Sequence, residues 1–123
     1  MKYIILFLSI FLSSNIFAHE NPPRKGTCFL VRNGNPETPK PCTIYSGGGA
    51  GGSYVKFKVG SANILIEEVE GEVGVGSSPE HLKDGNNYMR DAKTLKEIPY
   101  SEEDIPKYFC AKQTNGNLDA CFK

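Results

Sequence analysis

The sequence predicts a mainly β protein: a small antiparallel β-sandwich or barrel with one or two short helical turns, cross-linked by two disulfides. Three observations lead to this prediction. Thirteen glycines and eight prolines divide the 123 residues into short apolar runs, as is typical of strands joined by turns. One of these runs alternates apolar and polar residues with the period of a half-buried strand. Four cysteines follow a leader typical of exported proteins, and an even number in a small exported domain indicates disulfides.

The chain opens with the features of a secretory signal peptide. Lys2 supplies the positive charge, residues 3–12 are apolar, and Ala18 is a small residue where a signal peptidase would cut. The apolar run is shorter than the roughly 20 residues of a membrane-spanning helix. We therefore predict a cleaved signal peptide over residues 1–18, a secreted or periplasmic location, and no membrane anchor after cleavage.

The remaining chain reads as one domain preceded by a short arm. Residues 19–26, HENPPRKG, are polar with a double proline and predict a flexible N-terminal arm, which leaves residues 27–123 as the domain. The 14 basic and 14 acidic side chains balance, which argues against nucleic acid or an anionic membrane as a partner. Asn-x-Ser/Thr glycosylation acceptors do not occur, which favours a bacterial source.

An internal similarity favours one of the three possible disulfide connectivities. The segments CFLVRNGN and CAKQTNGN share a cysteine, four residues and Asn-Gly-Asn. Asn-Gly between strands predicts a type I′ hairpin turn, and a turn at Asn115-Gly116 brings Cys110 opposite Cys121. We therefore favour Cys28–Cys42 and Cys110–Cys121. In the first copy, the prolines after Asn-Gly predict a longer loop.

The pattern along the chain places the strands and turns. In SYVKFKVG, residues Val55, Phe57 and Val59 share one face, and Tyr54, Lys56 and Lys58 share the other. Further strands are predicted over 27–32 and 42–45, over 63–75 as one long or two short strands, and in a closing hairpin over 108–122. Ile64, Ile66 and Val69 are core candidates.

Helical turns and one further hairpin complete the prediction. A capped turn is predicted from Ser78 to Gly85, and a second one over residues 101–106. The segment NNYMRDAKTLKEIPY is ambiguous; one interpretation places a turn over residues 91–94 between a strand that carries Tyr88 and Arg90 and a partner over 95–98.

The segment YSGGGAGGSYVKF contains a glycine run that satisfies G-x-G-x-x-G. A dinucleotide site needs a helix after this motif, whereas a strand follows here, and the Lys-Ser/Thr of a phosphate-binding loop does not occur. The run therefore predicts a hairpin loop or strand bend that can adapt to a partner. The candidate partner-binding residues are Gly47, Gly48, Gly49, Gly51, Gly52, Tyr54 and Lys56.

The inventory of reactive side chains argues against an enzyme. His19 and His81 are the two histidines, and the cysteines are assigned to disulfides, so no nucleophile, base and orienting group converge. No cofactor is predicted. After cleavage, His19 would offer an α-amine and an imidazole to Cu(II), with His81 or a carboxylate as a further ligand. In this respect the chain resembles bacterial periplasmic copper carriers.

The overall plan of leader, β domain and disulfide is similar to that of periplasmic lysozyme inhibitors. The segment GGSY, residues 51–54, is similar to the Ser-Gly-x-x-Tyr element of one such family, although the order of its residues differs. The similarity concerns plan and not membership, and it implies a protein partner. We predict a non-enzymatic binding protein (an inhibitor, immunity protein or interaction module) that acts through its loops and an exposed tyrosine face. The alternative is a periplasmic small-ligand or copper carrier that uses His19.

Overall fold

The computed structural model describes residues 19–123, so the predicted signal peptide lies outside the described residues. A single short 3-10 turn, Pro79–His81, is present among them. The strands are β1 (His19–Glu20), β2 (Arg24–Arg32), β3 (Asn35–Pro36), β4 (Lys40–Gly49), β5 (Gly52–Val59), β6 (Ala62–Val69), β7 (Glu72–Gly76), β8 (Lys83–Asp91), β9 (Glu97–Ile98), β10 (Lys107–Gln113) and β11 (Asp119–Phe122).

Eight of these strands form a closed antiparallel ring, the barrel alternative of the predicted fold. Strands β4 to β8 pair in chain order, β8 pairs with β10, and β10 pairs with β11. Strand β2 closes the ring because it pairs with β11 on one side and with β4 on the other. Successive connections alternate between the two ends. We call the end with the β4–β5 and β6–β7 turns the mouth, and the opposite end the base.

Two-residue turns join most neighbouring strands. Asn33-Gly34, Ala50-Gly51 and Glu70-Gly71 each have positive φ at both residues, as type I′ hairpins require. Gly60-Ser61, between β5 and β6, has positive φ at glycine alone. These turns match the right-handed twist of their strands, which lets a short chain close a ring without long loops.

The predicted type I′ turn at Asn115-Gly116 is wrong. Residues 114–117 form a wider loop, since the Gln113 N–H donates to the Leu118 carbonyl (2.8 Å), and the Gln113 side chain accepts from the Leu118 N–H (3.2 Å). The register is unchanged, and Cys110 still lies opposite Cys121. The wider loop makes the two cysteines a non-hydrogen-bonded pair, in which the chains approach closely; their Cα atoms are 4.1 Å apart. The first Asn-Gly copy forms the type I′ turn instead.

Inward-facing side chains fill the ring from the base upwards. Phe57 and Val59 lie in this core, with Val55 packed against it, as the alternation predicted. Ile64 and Ile66 are also buried. Val69 is not: half of its side chain is exposed because β6 ends there at the mouth. The buried members of this inner core are Cys28, Leu30, Ile44, Phe57, Val59, Ile64, Ile66, Val75, Ala111 and Ala120.

A second core lies outside the ring. Its buried members are Phe29, Val31, Tyr108, Cys110 and Cys121, and Ala92 and Leu95 of the β8–β10 connection pack over them. The Phe29 and Tyr108 rings meet edge to face at 4.8 Å. Strand β2 is thus buried on both faces, which accounts for its continuous apolar run over residues 28–31.

The predicted disulfides are confirmed, and they belong to different cores. Cys28–Cys42 joins β2 to β4 and packs with the inner core. Cys110–Cys121 joins β10 to β11 within the outer core. Each bridge therefore fixes a hairpin and fills apolar space.

Three local expectations differ from the structure. Residues 19–26 are largely paired: His19 lies opposite Gly48, and Arg24 begins β2 opposite Ile44. Residues 101–106 are irregular instead of helical, with the Ser101 hydroxyl accepting from the Glu103 N–H. Gly85 lies in β8 and does not end the helical turn, which stops at His81.

Across residues 19–123, no helix is long and apolar enough to cross a bilayer.

Candidate functional site

A cavity of about 810 Å³ opens at the mouth of the ring. Its apolar wall consists of inward-facing side chains from five strands: Val55 of β5, Ile66 of β6, Met89 of β8, Phe109 of β10 and Phe122 of β11. Phe122 packs against Phe57 with ring centroids 5.6 Å apart, so the floor of the cavity is the top of the inner core. Eight-stranded rings have an interior that side chains fill or that holds one small ligand. Here the base is filled and the mouth is open.

Unequal strand lengths produce this opening. Strand β8 continues from Gly85 to Asp91 beyond the β6–β7 turn, paired along this length with β10. The tall wall formed by β8 and β10 therefore rises above the neighbouring β6–β7 hairpin. Strand β9 pairs with the tall wall, placing Ile98 opposite Met89, and residues 99–102 follow it as part of the cavity lining.

Polar contacts hold the rim of the cavity. The Glu68 carboxylate accepts from the Asn87 side-chain amide (3.0 Å), joining β6 to β8 across the mouth end of β7. The Tyr100 hydroxyl donates to Glu102 (3.1 Å), and this hydrogen bond raises the pKa of Tyr100. The Lys107 ammonium donates to the carbonyls of Ser101 (2.9 Å) and Glu103 (2.7 Å). Lys107 thus holds the segment between β9 and β10, residues 99–106, against the start of β10.

Apolar side chains also stand exposed around the mouth. Phe109 is 45% exposed and Tyr100 75% exposed, and both line the cavity. Their exposed rings continue into the apolar wall of the cavity. The lining thus provides apolar walls, aromatic faces at the entrance and a few polar groups, which is the usual composition of a ligand site.

The structure brings some of the predicted partner-binding residues to this site. Tyr54 is among the lining residues, and Ser53 beside it lies just after the Ala50-Gly51 turn. Lys56 lies elsewhere, on the outer wall, with its ammonium 5.4 Å from the centroid of the Tyr45 ring. Gly47, Gly48 and Gly49 are part of β4, Gly52 begins β5, and Gly51 forms the turn between them. The glycine run is thus a hairpin at the rim.

The five tyrosines within residues 19–123 do not form one exposed face. Tyr45 and Tyr100 are exposed, Tyr54 and Tyr88 are half-buried, and Tyr108 is buried in the outer core. The sequence could not separate them, since a tyrosine on either side of a strand fits the same alternation.

The two histidines occupy opposite ends of the ring. His19 pairs with Gly48 near the mouth, whereas His81 lies in the β7–β8 connection at the base, where Nδ1 is 2.8 Å from the Ser78 hydroxyl. Among the described residues, no group of three or more His, Cys, Asp and Glu side chains is arranged to hold a metal ion. The copper alternative stays a prediction.

A polar cluster lies at the edge of the outer core. The buried Arg90 guanidinium donates from Nε to the Tyr88 hydroxyl (3.1 Å) and from a terminal nitrogen to the Leu95 carbonyl (2.8 Å). The Tyr88 hydroxyl in turn donates to Asp119. Burial raises the pKa of Tyr88, and the hydrogen bond to Asp119 raises it further. Burial also raises the pKa of Asp119, which the Tyr88 hydrogen bond and the Arg90 charge partly oppose. These contacts orient the β8–β10 connection.

Sequence reasoning missed most of the cavity. Met89, Ile98 and Phe109 fall in or after the segment whose secondary structure was ambiguous, and their meeting depends on the ring closing. One signal was present: Phe109 lies in the continuous apolar run of residues 108–111, yet it is near the strand end, where a core residue would have little cover.

Comparisons with known proteins provide no further guidance to function. No protein-family profile matches the sequence, and neither a curated protein nor a solved structure shows significant similarity to the chain.

Proposed function

We propose that this chain is a non-enzymatic binding protein that takes a small, largely apolar ligand into the mouth of the ring. The observation that carries the proposal is the cavity of about 810 Å³ with its apolar wall. This volume lies within the range of about 300–1,000 Å³ that is usual for small-molecule sites. Two functions were predicted from the sequence, and the cavity favours the small-ligand carrier over a module that binds through exposed tyrosines.

The rigidity of the site supports the same function. The wall residues project from paired strands, and Cys110–Cys121 locks the two strands that carry Phe109 and Phe122. A ligand therefore meets a preformed apolar surface and pays little to order it.

We further propose that the protein acts outside the cytoplasm, after removal of the predicted leader over residues 1–18. Two disulfides in a small domain are typical of an oxidising compartment. Carriers of apolar molecules are useful there because such ligands are poorly soluble in water.

The proposal is tested with N-phenyl-1-naphthylamine, a neutral probe whose fluorescence rises in apolar surroundings. Titration into the purified mature protein is expected to give saturable binding at one site. Phe109→Ser is expected to weaken binding roughly tenfold. The exposed half of the Phe109 ring would contact the bound probe, and its loss removes on the order of 1–2 kcal/mol of apolar contact.

Tyr45→Ser is the matched control, because Tyr45 is 44% exposed and Phe109 45%, but Tyr45 lies outside the cavity. It is expected to bind the probe like the unmodified protein. Circular dichroism of both variants checks that the fold is kept. Equal loss in the two variants, or no saturable binding by the unmodified protein, contradicts the proposal.

A further inference from the structure

We propose that the ligand is an organic cation: a positively charged amine or quaternary ammonium group attached to an apolar body. The inference rests on the proposed mouth site and adds the sign of the ligand's charge. It is argued from the carboxylates, the aromatic faces and the one ammonium group around the cavity.

Carboxylates stand on two sides of the cavity. Glu68 lines it from β6, and Glu102 lines it from the segment that follows β9. Both are exposed and hydrogen-bonded, Glu68 by Asn87 and Glu102 by Tyr100, so each is held in place with a carboxylate oxygen free for a further contact. A cationic head between them would meet complementary charge while its apolar body lies on the wall below.

The negative charge extends along the adjoining rim. Glu70 and Glu72 flank Gly71 in the β6–β7 turn next to Glu68, and Glu103 and Asp104 follow Glu102 in the chain. A cavity whose border carries an excess of one charge concentrates ligands of the opposite sign and raises their rate of association.

Lys107 offsets only part of this charge. It is the one basic side chain among the described residues that line the cavity, against the two carboxylates of Glu68 and Glu102, and its ammonium donates to the Ser101 and Glu103 carbonyls. Two of its three donors are therefore already bound to the backbone of the segment between β9 and β10. An anionic ligand would find one remaining donor and would be repelled by the carboxylates.

Aromatic faces at the entrance suit the same ligand. Tyr100 and Phe109 are exposed and line the cavity, and a cation over an aromatic ring gains electrostatic attraction from the negative face of the ring. Quaternary ammonium groups are commonly recognised in this way. Aromatic rings, carboxylates and an apolar floor together define a site for a cationic amphiphile.

The test compares three ligands with the same ten-carbon chain: decyltrimethylammonium, decanol and decyl sulfate, each below its micelle concentration. Displacement of N-phenyl-1-naphthylamine gives their affinities for the mature protein, and circular dichroism excludes unfolding. The cation is expected to bind about tenfold more tightly than the alcohol, and the sulfate more weakly than the alcohol. The preference is expected to shrink as salt is raised, since salt screens exposed charges.

The variant Glu68→Gln/Glu102→Gln assigns the effect, because glutamine keeps the shape and can keep both hydrogen bonds. It is expected to lose most of the preference for the cation and to bind decanol as before. Glu67→Gln is the control, because Glu67 lies beside Glu68 on β6 but does not line the cavity, and this variant should keep the preference.

Each of the other possible results contradicts a different part of the proposal. Equal binding of the three ligands, or tighter binding of the sulfate, overturns the charge inference while the mouth site stands. A preference that survives in the double variant overturns the assignment to these two carboxylates. Failure of all three ligands and of the neutral probe overturns the mouth site itself, and with it this inference.

Discussion

At the scale of the single residue, the outer core depends on the Tyr88 hydroxyl. It accepts a hydrogen bond from the buried Arg90 and donates one to the half-buried Asp119. A guanidinium and a carboxylate thus share one neutral bridging group. Removing this group leaves two charged side chains short of a partner in a place where water has little access.

Tyr88→Phe is therefore expected to lower the free energy of unfolding by about 1–3 kcal/mol, the cost of leaving buried polar groups unpaired. Urea unfolding followed by circular dichroism measures the change. Tyr45→Phe removes the same hydroxyl from an exposed ring and is expected to change stability by less than about 0.5 kcal/mol. A Tyr88→Phe protein as stable as the Tyr45→Phe protein contradicts the bridging role.

At the scale of the element, the hairpin turns determine how the strands register. The turns Asn33-Gly34 and Ala50-Gly51 share the same φ signature and differ in their first residue. Asparagine tolerates positive φ, because its short polar side chain can bond locally, whereas alanine at φ 41° is strained. Both first positions are exposed, so packing contributes little to the difference.

A reciprocal exchange tests this account. Ala50→Asn is expected to raise the free energy of unfolding by roughly 0.5–1 kcal/mol, and Asn33→Ala to lower it by a similar amount. Denaturant unfolding of the two single variants and of the double variant measures both changes, and the double variant is expected to match the unmodified protein. Changes of the same sign in the two single variants would show that φ strain is not the controlling factor.

At the scale of the whole molecule, local sequence patterns predicted individual strands and the disulfides, whereas the cavity arises only when the ring closes. The alternation at Val55, Phe57 and Val59 and the cysteine spacing depend on near neighbours in the chain, so they could be interpreted correctly. The pairing that closes the ring could not be predicted, because it joins β2 and β11 from opposite ends of the chain. We call this β2–β11 junction the seam. The cavity follows from that pairing and from the extension of β8 beyond β7, so most of its residues carried no local signature.

The two disulfides act at this same scale, although each is a local link. Cys28–Cys42 spans 14 residues and Cys110–Cys121 spans 11, the two loops do not overlap, and neither bridge crosses the seam between β2 and β11. Each bridge restricts a separate part of the unfolded chain. The stabilisation of one bridge is thus largely independent of the other, and the seam is held by hydrogen bonds and by the two cores.

Replacing both cysteines of either bridge by alanine is therefore expected to cost about 3 kcal/mol, and replacing all four about twice that. The second loss would consume much of the roughly 5–15 kcal/mol by which small domains are stable, so the four-fold variant is expected to be partly unfolded at 37 °C. Urea unfolding of the two paired variants at 25 °C, and near-ultraviolet circular dichroism of the four-fold variant, measure these effects. A fully folded four-fold variant would mean that packing across the seam, and not the covalent links, supplies most of the stability of the ring.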